Sequence, residues 1–246
     1  MVFYIKVDGI MRCELINNDC MEILPTLEDN SVDLIITSPP YNFKHKANDH
    51  DEIVVTYNTY DDNLNQDEYE EWQVEVLNEL YRILKPTGLL YYNHKERHSK
   101  GEYFNPINIV QKTRFNILQT IIWRKNGGVM FNTGRFSNCY EVIIVGYKTK
   151  NYMRISLESE KYFDVWDINR DVNPCLTASF PLELPKRIIS AYKDYDDLTV
   201  LDCFMGSGTT AQASLEEGRD FIGIEIDKKY FDYAVNRTKT YQTKLI

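Results

Sequence analysis

The C-terminal fifth of the chain alternates in a way that few folds accommodate. An apolar run at residues 198–202 leads through a glycine-bearing turn into a helical stretch at 209–217. A second apolar run at 221–226 is followed by a second helix at 228–239. Strand, helix, strand, helix in succession makes each connection a crossover, which brings the strands parallel and covers them with helices. The run at 32–36 (Val-Asp-Leu-Ile-Ile) is largely continuous rather than alternating, as a strand buried on both faces should be. Together these segments predict an α/β protein with a doubly wound, mostly parallel, Rossmann-like sheet.

The remaining chain fits that frame. Residues 13–17 read as a strand and 20–27 as a helical stretch. A helix over 67–84 places Trp72, Val76, Leu80 and Ile83 or Leu84 on one face, and Lys85-Pro86-Thr87-Gly88 stops it before a strand at 89–92. Segments 115–123 and 140–147 are β-rich, with a turn signal at Asn126-Gly127-Gly128 between them; 148–176 reads as irregular, and 183–193 as a helix with Pro185 near its first turn. Residues 42–66 are polar, acidic and without helical periodicity, a long variable loop. The 246 residues suffice for one such domain, 1–246, and contain no repeat or low-complexity linker.

Composition narrows the setting. No run of about 18 apolar residues spans a membrane, and residues 1–12 lack the apolar core and cleavage site of a secretory leader. Five scattered cysteines without CxxC pairing suggest reduced thiols, so a cytoplasmic protein is expected, without metal, because the four histidines also form no ligand pattern. The net charge of −9 hides a division. Residues 45–75 hold one Lys against ten Asp or Glu, whereas 94–150 hold ten Lys or Arg against three Glu. The second block (Lys95, Arg97, Lys100, Lys112, Arg114, Arg124, Lys125, Arg135, Lys148, Lys150) is either a phosphate-tracking surface or an ordinary solvated face.

Two segments carry chemistry. In Asp202-Cys203-Phe204-Met205-Gly206-Ser207-Gly208-Thr209-Thr210, the glycines allow a sharp turn and close approach of backbone to a ligand. Glu225, at the end of the next strand, suits a ribose diol, since a carboxylate accepts both hydroxyl hydrogens. Gly206, Gly208 and Ala211 also match G-x-G-x-x-A, which leaves a dinucleotide site open. Against it, only about 20 residues follow Glu225, too few for a second nucleotide half. The other segment is Ser38-Pro39-Pro40-Tyr41. An exocyclic base amine is a poor nucleophile because its lone pair is delocalised into the ring. The Ser38 hydroxyl and Pro39 carbonyl, accepting its two hydrogens, would hold the nitrogen nearer tetrahedral and free that lone pair. Prolines offer carbonyls without N–H groups, and Tyr41 provides a flat surface for a base flipped out of a helix.

Taken together, residues 38–41 followed far downstream by 202–210 resemble the amino-methyltransferases of bacterial restriction-modification systems. The order, catalytic segment before cofactor segment, is similar to their circularly permuted β class. The likeness extends to Asn18-Asp19-Cys20, Arg82-Ile83-Leu84-Lys85-Pro86-Thr87-Gly88, Ser179-Phe180-Pro181-Leu182-Glu183-Leu184-Pro185 and Phe221-Ile222-Gly223-Ile224-Glu225-Ile226-Asp227. It implies a DNA substrate and S-adenosylmethionine as cofactor. Asp202, Phe204 and Gly206 would face the methionine end, Glu225 the ribose and Asp19 the adenine. Cys20, Ser207, Gly208, Thr209, Thr210 and Ile226 would complete the cofactor set. Trp123 stands where an aromatic lines the target-base pocket, with Arg124 and Lys125 as substrate contacts, and 129–176 is the segment left for target recognition. Serine at position 38, where adenine enzymes mostly carry Asp or Asn, implies N4-methylcytosine as product. The resemblance also admits a homodimer and a cognate restriction endonuclease as a functional rather than physical companion.

Three other readings fit less well. A cytosine carbon-5 methyltransferase needs a thiolate, and Pro174-Cys175 is the only Pro-Cys pair, without a Glu-Asn-Val partner. An NAD-dependent oxidoreductase has no use for residues 38–41, and a non-catalytic DNA-binding module has no reason to keep both segments intact.

Overall fold

A computed structural model describes residues 1–7, 11–42, 64–99, 101–125, 134, 136, 138–156, 163–169 and 180–242. The expectations for Lys100, Arg135, Cys175, Ser179, the 126–128 turn, residues 43–63 of the acidic loop and much of 129–176 lie outside the described residues. The elements run β1 (Val2–Val7), β2 (Met11–Asn17), α1 (Cys20–Ile23) with a following 3-10 turn, β3 (Val32–Thr37), α2 (Gln66–Ile83) and β4 (Leu84–His94). Next come β5 (Arg97–Ser99), β6 (Glu102–Phe104), α3 (Ile107–Gln111), β7 (Asn116–Arg124), β8 (Tyr140–Tyr147) and β9 (Val165–Asp167). The chain closes with α4 (Glu183–Ser190), β10 (Thr199–Asp202), α5 (Thr209–Glu216), β11 (Asp220–Glu225) and α6 (Lys228–Gln242).

Among the described residues nine strands form one sheet in the order β1-β2-β11-β10-β3-β4-β8-β7-β9, and the five from β2 to β4 are parallel. Strand alternation sends successive side chains into two cores. Leu34, Ile36, Leu89, Tyr91 and Val200 join the cluster under α4, α5 and α6, while Ile35, Leu90, Tyr92 and Leu201 join the one under α1, α2 and α3. The doubly wound, Rossmann-like expectation holds. Two details differ. The 148–176 stretch contains β9, a three-residue strand at the sheet edge that pairs in parallel with β7. The Lys85-Pro86-Thr87-Gly88 stop belongs to β4 itself, where the pairing with β3 shifts register between Val32 and Leu34.

The connections after β3 and β10 leave in opposite directions, β3 through α2 to β4 and β10 through α5 to β11. The gap between these two neighbours is the topological switch point, the crevice at the carboxyl ends of the strands where open α/β sheets bind ligands. Both chemistry-bearing segments begin there. The amino ends are closed differently: Lys85 grips the Asp33 carboxylate at 2.7 and 2.8 Å, and Lys148 donates to the Leu84 carbonyl at 2.6 Å.

This polarity corrects the single basic face considered above. Asn116 pairs with Tyr147, and Arg124 with Tyr140, so Arg114, Lys148 and Lys150 lie at the amino-end rim, while Lys112 is held by Glu70, whose partner Gln66 also accepts from Arg97. Lys95, Arg97, Arg124 and Lys125 lie at the carboxyl end, roughly 25 Å away at the usual rise per strand residue. The block is contiguous in sequence, but antiparallel strands deliver its members to opposite ends of the sheet.

Candidate active site

The turn after β10 is built around a buried carboxylate. Asp202 is 1 % exposed and accepts from Thr37 Oγ1 at 2.8 Å, the Phe204 amide at 3.1 Å and Thr210 Oγ1 at 2.7 Å. Burial pushes its carboxyl up to about 6. Glu225, at the end of β11, accepts from the Gly206 amide and from the Asp227 amide, each at 2.8 Å, and burial raises it to about 7. The turn is thus braced on both sides by carboxylates. Gly206 and Gly208 both have positive φ, +56° and +79°, and a Cβ on Gly208 would stand 2.8 Å from the Cβ of Ala234 in α6. Asp19 caps α1 through the Met21 amide at 2.9 Å.

These groups surround a cavity at the switch point. Asp19, Cys20, Ser207, Thr209, Glu225 and Ile226 line it from the β2, β10 and β11 side, Ser38 and Pro40 from the β3 side. Trp72, Phe180, Phe204 and Tyr230 supply aromatic wall, and Trp72 meets Phe204 edge-on at 5.7 Å between centroids. Asp202, Gly208 and Thr210 are not among the lining residues. Their place is behind the wall, where Asp202 holds the turn in shape by accepting from Thr37, Thr210 and the Phe204 amide. In the sequence Phe180 stood only within a family-like segment, Trp72 only on the apolar face of its helix, and Tyr230 carried no signal, because aromatic residues on helices read as core.

Beyond Thr37 the chain turns through the prolines. Tyr69 of α2 donates to the Pro40 carbonyl at 2.8 Å and also meets His94 Nε2 at 2.7 Å, while the Lys95 amide donates to His94 Nδ1 at 2.7 Å. Burial depresses the His94 imidazole to about 3, so it is a neutral packing group, stacked on the Tyr41 ring at 4.7 Å. The Pro39 carbonyl has no hydrogen-bond partner among the described residues. The Tyr41 hydroxyl sits 2.8 Å from Ser38 Oγ and donates to Glu141 Oε2 at 3.0 Å. Asn93 Nδ2 donates to Tyr41 at 2.7 Å, Glu141 at 2.9 Å and Ser38 at 3.2 Å, and Lys125 Nζ pairs with Glu141 Oε1. Asn93 and Glu141 were missed in the sequence. Their signal was faint: single polar residues at the ends of strands otherwise buried and apolar.

The expected trio of substrate contacts divides. Trp123 is 3 % exposed, packs in the α4–α6 core and donates its indole N–H to the Ile168 carbonyl at 2.9 Å. Its place on β7 turns it away from the cavity, so it does not line a base pocket here. Lys125 is buried over the Trp123 ring and against Glu141. Arg124 is exposed and forms a two-pronged pair with Asp167 on β9.

The comparisons with known proteins bear on this site. The chain matches the DNA methylase family over residues 32–236, a span that includes residues 38–41 and 202–210. The chain belongs to that family. It is 28% identical over 263 residues to the type II methyltransferase M.BglII of Bacillus subtilis, covering 90% of this chain and 67% of the relative. It is 31% identical over 259 residues to the type II methyltransferase M.HpaI of Haemophilus parainfluenzae, covering 92% and 74%. Its fold superimposes on the cytosine-N4-specific PvuII DNA methyltransferase with a TM-score of 0.72 at 19% identity, covering 95% and 92% of the chains. On the M1.HpyAVI–SAM complex the score is 0.64 at 25% identity, covering 92% and 99%. This DNA methyltransferase uses S-adenosylmethionine. Its cavity suits that molecule: Ser207 lines it, and the buried Ser207 Oγ has no partner among the described residues, an unsatisfied polar atom beside the space a ligand would fill. Among the described residues no helix is long and apolar enough to cross a membrane.

Proposed function

We propose that this methyltransferase acts on the N4 amine of cytosine in DNA, as a β-class enzyme whose catalytic segment precedes its cofactor segment. S-adenosylmethionine, when bound, supplies an electrophilic methyl group on its sulfonium. The observation that carries the reading is the pairing of Ser38 Oγ, at the cavity wall, with the unpartnered Pro39 carbonyl beside it. Two acceptors on a turn that Tyr69 pins through Pro40 can hold both amine hydrogens and direct the nitrogen lone pair into the cavity. A short hydroxyl at position 38 suits the single-ring base, and the cytosine-N4-specific title of the PvuII neighbour agrees with it. On the cofactor side, Glu225 is placed for the ribose, Asp19 for the adenine and Ser207 for the methionine end. Nucleoside mass spectrometry of DNA treated with enzyme and methyl-labelled cofactor tests the proposal. Label in deoxycytidine is expected. Label confined to deoxyadenosine would overturn the base assignment, and no label at all would overturn the methyl-transfer reading.

The raised carboxyls make a second expectation. Glu225 moves from an ordinary 4.5 up to about 7 on folding. A carboxyl raised by folding contributes stability that is fully present below its unfolded pKa and is lost as pH rises through the folded one. The ligand-free protein should therefore melt lower at about pH 8 than at about pH 5, with Glu225 alone accounting for about 3 kcal/mol. Glu225→Gln should flatten that slope while weakening S-adenosylmethionine binding, read by thermal melts and calorimetry. A wild-type melting temperature that climbs over this window would refute the assignment.

A further inference from the structure

We infer that Glu141, held by Lys125 and Asn93, is a positioning residue that fixes the direction of the Ser38 proton and so makes Ser38 an acceptor toward the substrate amine. The inference rests on the amino-methyl transfer proposed above. The hydrogen bond from Tyr41 to Glu141 sets the arrangement of protons. Glu141 Oε2 accepts the Tyr41 hydroxyl proton at 3.0 Å. The Tyr41 oxygen, having given its only proton away, must then accept in its 2.8 Å contact with Ser38, so the Ser38 proton points at Tyr41. Asn93 is compatible with that direction, its two amide hydrogens being shared between Tyr41, Glu141 and, at longer range, Ser38. Turning that amide over would set its oxygen against the carboxylate. What remains on Ser38 is a lone pair at the cavity wall. A serine free to rotate would present either a proton or a lone pair, and only the lone pair can accept an amine hydrogen.

The parts come from four places in the chain. Ser38 and Tyr41 follow β3, Asn93 ends β4, Glu141 begins β8, and Lys125 follows β7. The β4–β8 and β8–β7 pairings bring them to one end of the sheet, with His94 opposite Val142 and Arg124 opposite Tyr140. Glu141 and Lys125 are both buried, 7 % exposed each. Lys125 gives Glu141 a buried charge partner, and the carboxylate's other oxygen accepts the hydrogen bond from the Tyr41 hydroxyl.

Single-turnover methylation of duplex DNA by Tyr41→Phe, Glu141→Gln and their combination tests this. Tyr41→Phe keeps the ring on His94 and removes only the hydroxyl. Each single variant should slow the chemical step by about tenfold or more, and the combination should be no slower than the worse single, because both break one chain of hydrogen bonds. Cofactor affinity by calorimetry should stay within about twofold throughout, a split that general loosening of the fold would not give. Glu141→Gln with Lys125→Met removes both charges and tests a purely structural ion pair. It should stay slow, and full recovery of rate would overturn the inference. So would losses at Tyr41 and Glu141 that multiply. If the unsubstituted enzyme labels neither base, the amino-transfer reading falls first. If it labels DNA and the losses multiply, only the proton-direction inference falls.

Discussion

Ser38→Ala should slow methyl transfer about a hundredfold or more, the usual consequence of removing one preorganised partner of the reacting group, while S-adenosylmethionine still binds with affinity within about twofold of wild type. The separation is expected because Ser38 is tied to Tyr41 and Asn93, on the β3 and β4 side of the cavity. The residues proposed for the cofactor stand on the β2, β10 and β11 side. Ser207→Ala, on that other side, should give the reverse pattern: weaker cofactor binding, with a rate that recovers at saturating cofactor. Calorimetry and single-turnover rates on the two variants decide the matter. If Ser38→Ala lost cofactor affinity but kept its rate at saturation, Ser38 would serve the cofactor and the amine would need another acceptor.

A large loss of stability is expected at Gly208. Two effects add there. Its φ of +79° is a conformation an L side chain rarely adopts, and a Cβ would meet Ala234 at 2.8 Å on Cβ and 2.9 Å on Cα. The first costs about 1–2 kcal/mol. The second pushes against the backbone of α6, which cannot yield as a flexible side chain would, and adds about 1–3 kcal/mol. Gly208→Ala should therefore lower the melting temperature by roughly 5–15 °C for a chain of this size, and should weaken the cofactor by displacing Ser207 and Thr209. Gly218 is the control. It also has positive φ, +68°, but nothing lies within 4 Å of its added Cβ, so Gly218→Ala should show the strain alone. Equal melting temperatures for the two variants would mean that the α6 contact is not rigid.

Much of this organisation was legible in the chain because it is local. The Val32–Thr37 strand is buried at every position, and a continuous apolar run announces that kind of strand. The cofactor turn carries its own glycines, and Glu225 lies one helix and one strand away at a spacing set by the crossover. What could not be read depends on pairing across the sheet. Glu141 lies 100 residues from Tyr41 in sequence, and only the β4–β8–β7 arrangement makes them neighbours. The same arrangement undid the basic block, because consecutive antiparallel strands send neighbouring charges to opposite rims. Trp123 was misplaced for a related reason: the resemblance gave its position in the sequence, and strand alternation decides which way a strand residue faces. β1 went unremarked although Val2 and Tyr4 are exposed while Ile5 is buried, the alternation of an edge hairpin strand.

The sheet's two rims have consequences for how such a protein can change. Chemistry is confined to the carboxyl rim, and the Lys85–Asp33 and Lys148–Leu84 clasps lie at the amino rim. Substitutions separated by more than about 10 Å, with no shared partners, combine almost independently, and the rims are roughly 25 Å apart along the strands. A lineage can therefore tune its durability at one rim without disturbing its substrate preference at the other. The same insulation would let an engineer reinforce the clasps first and then spend the added tolerance on mutations around Ser38, where new base preferences would be sought.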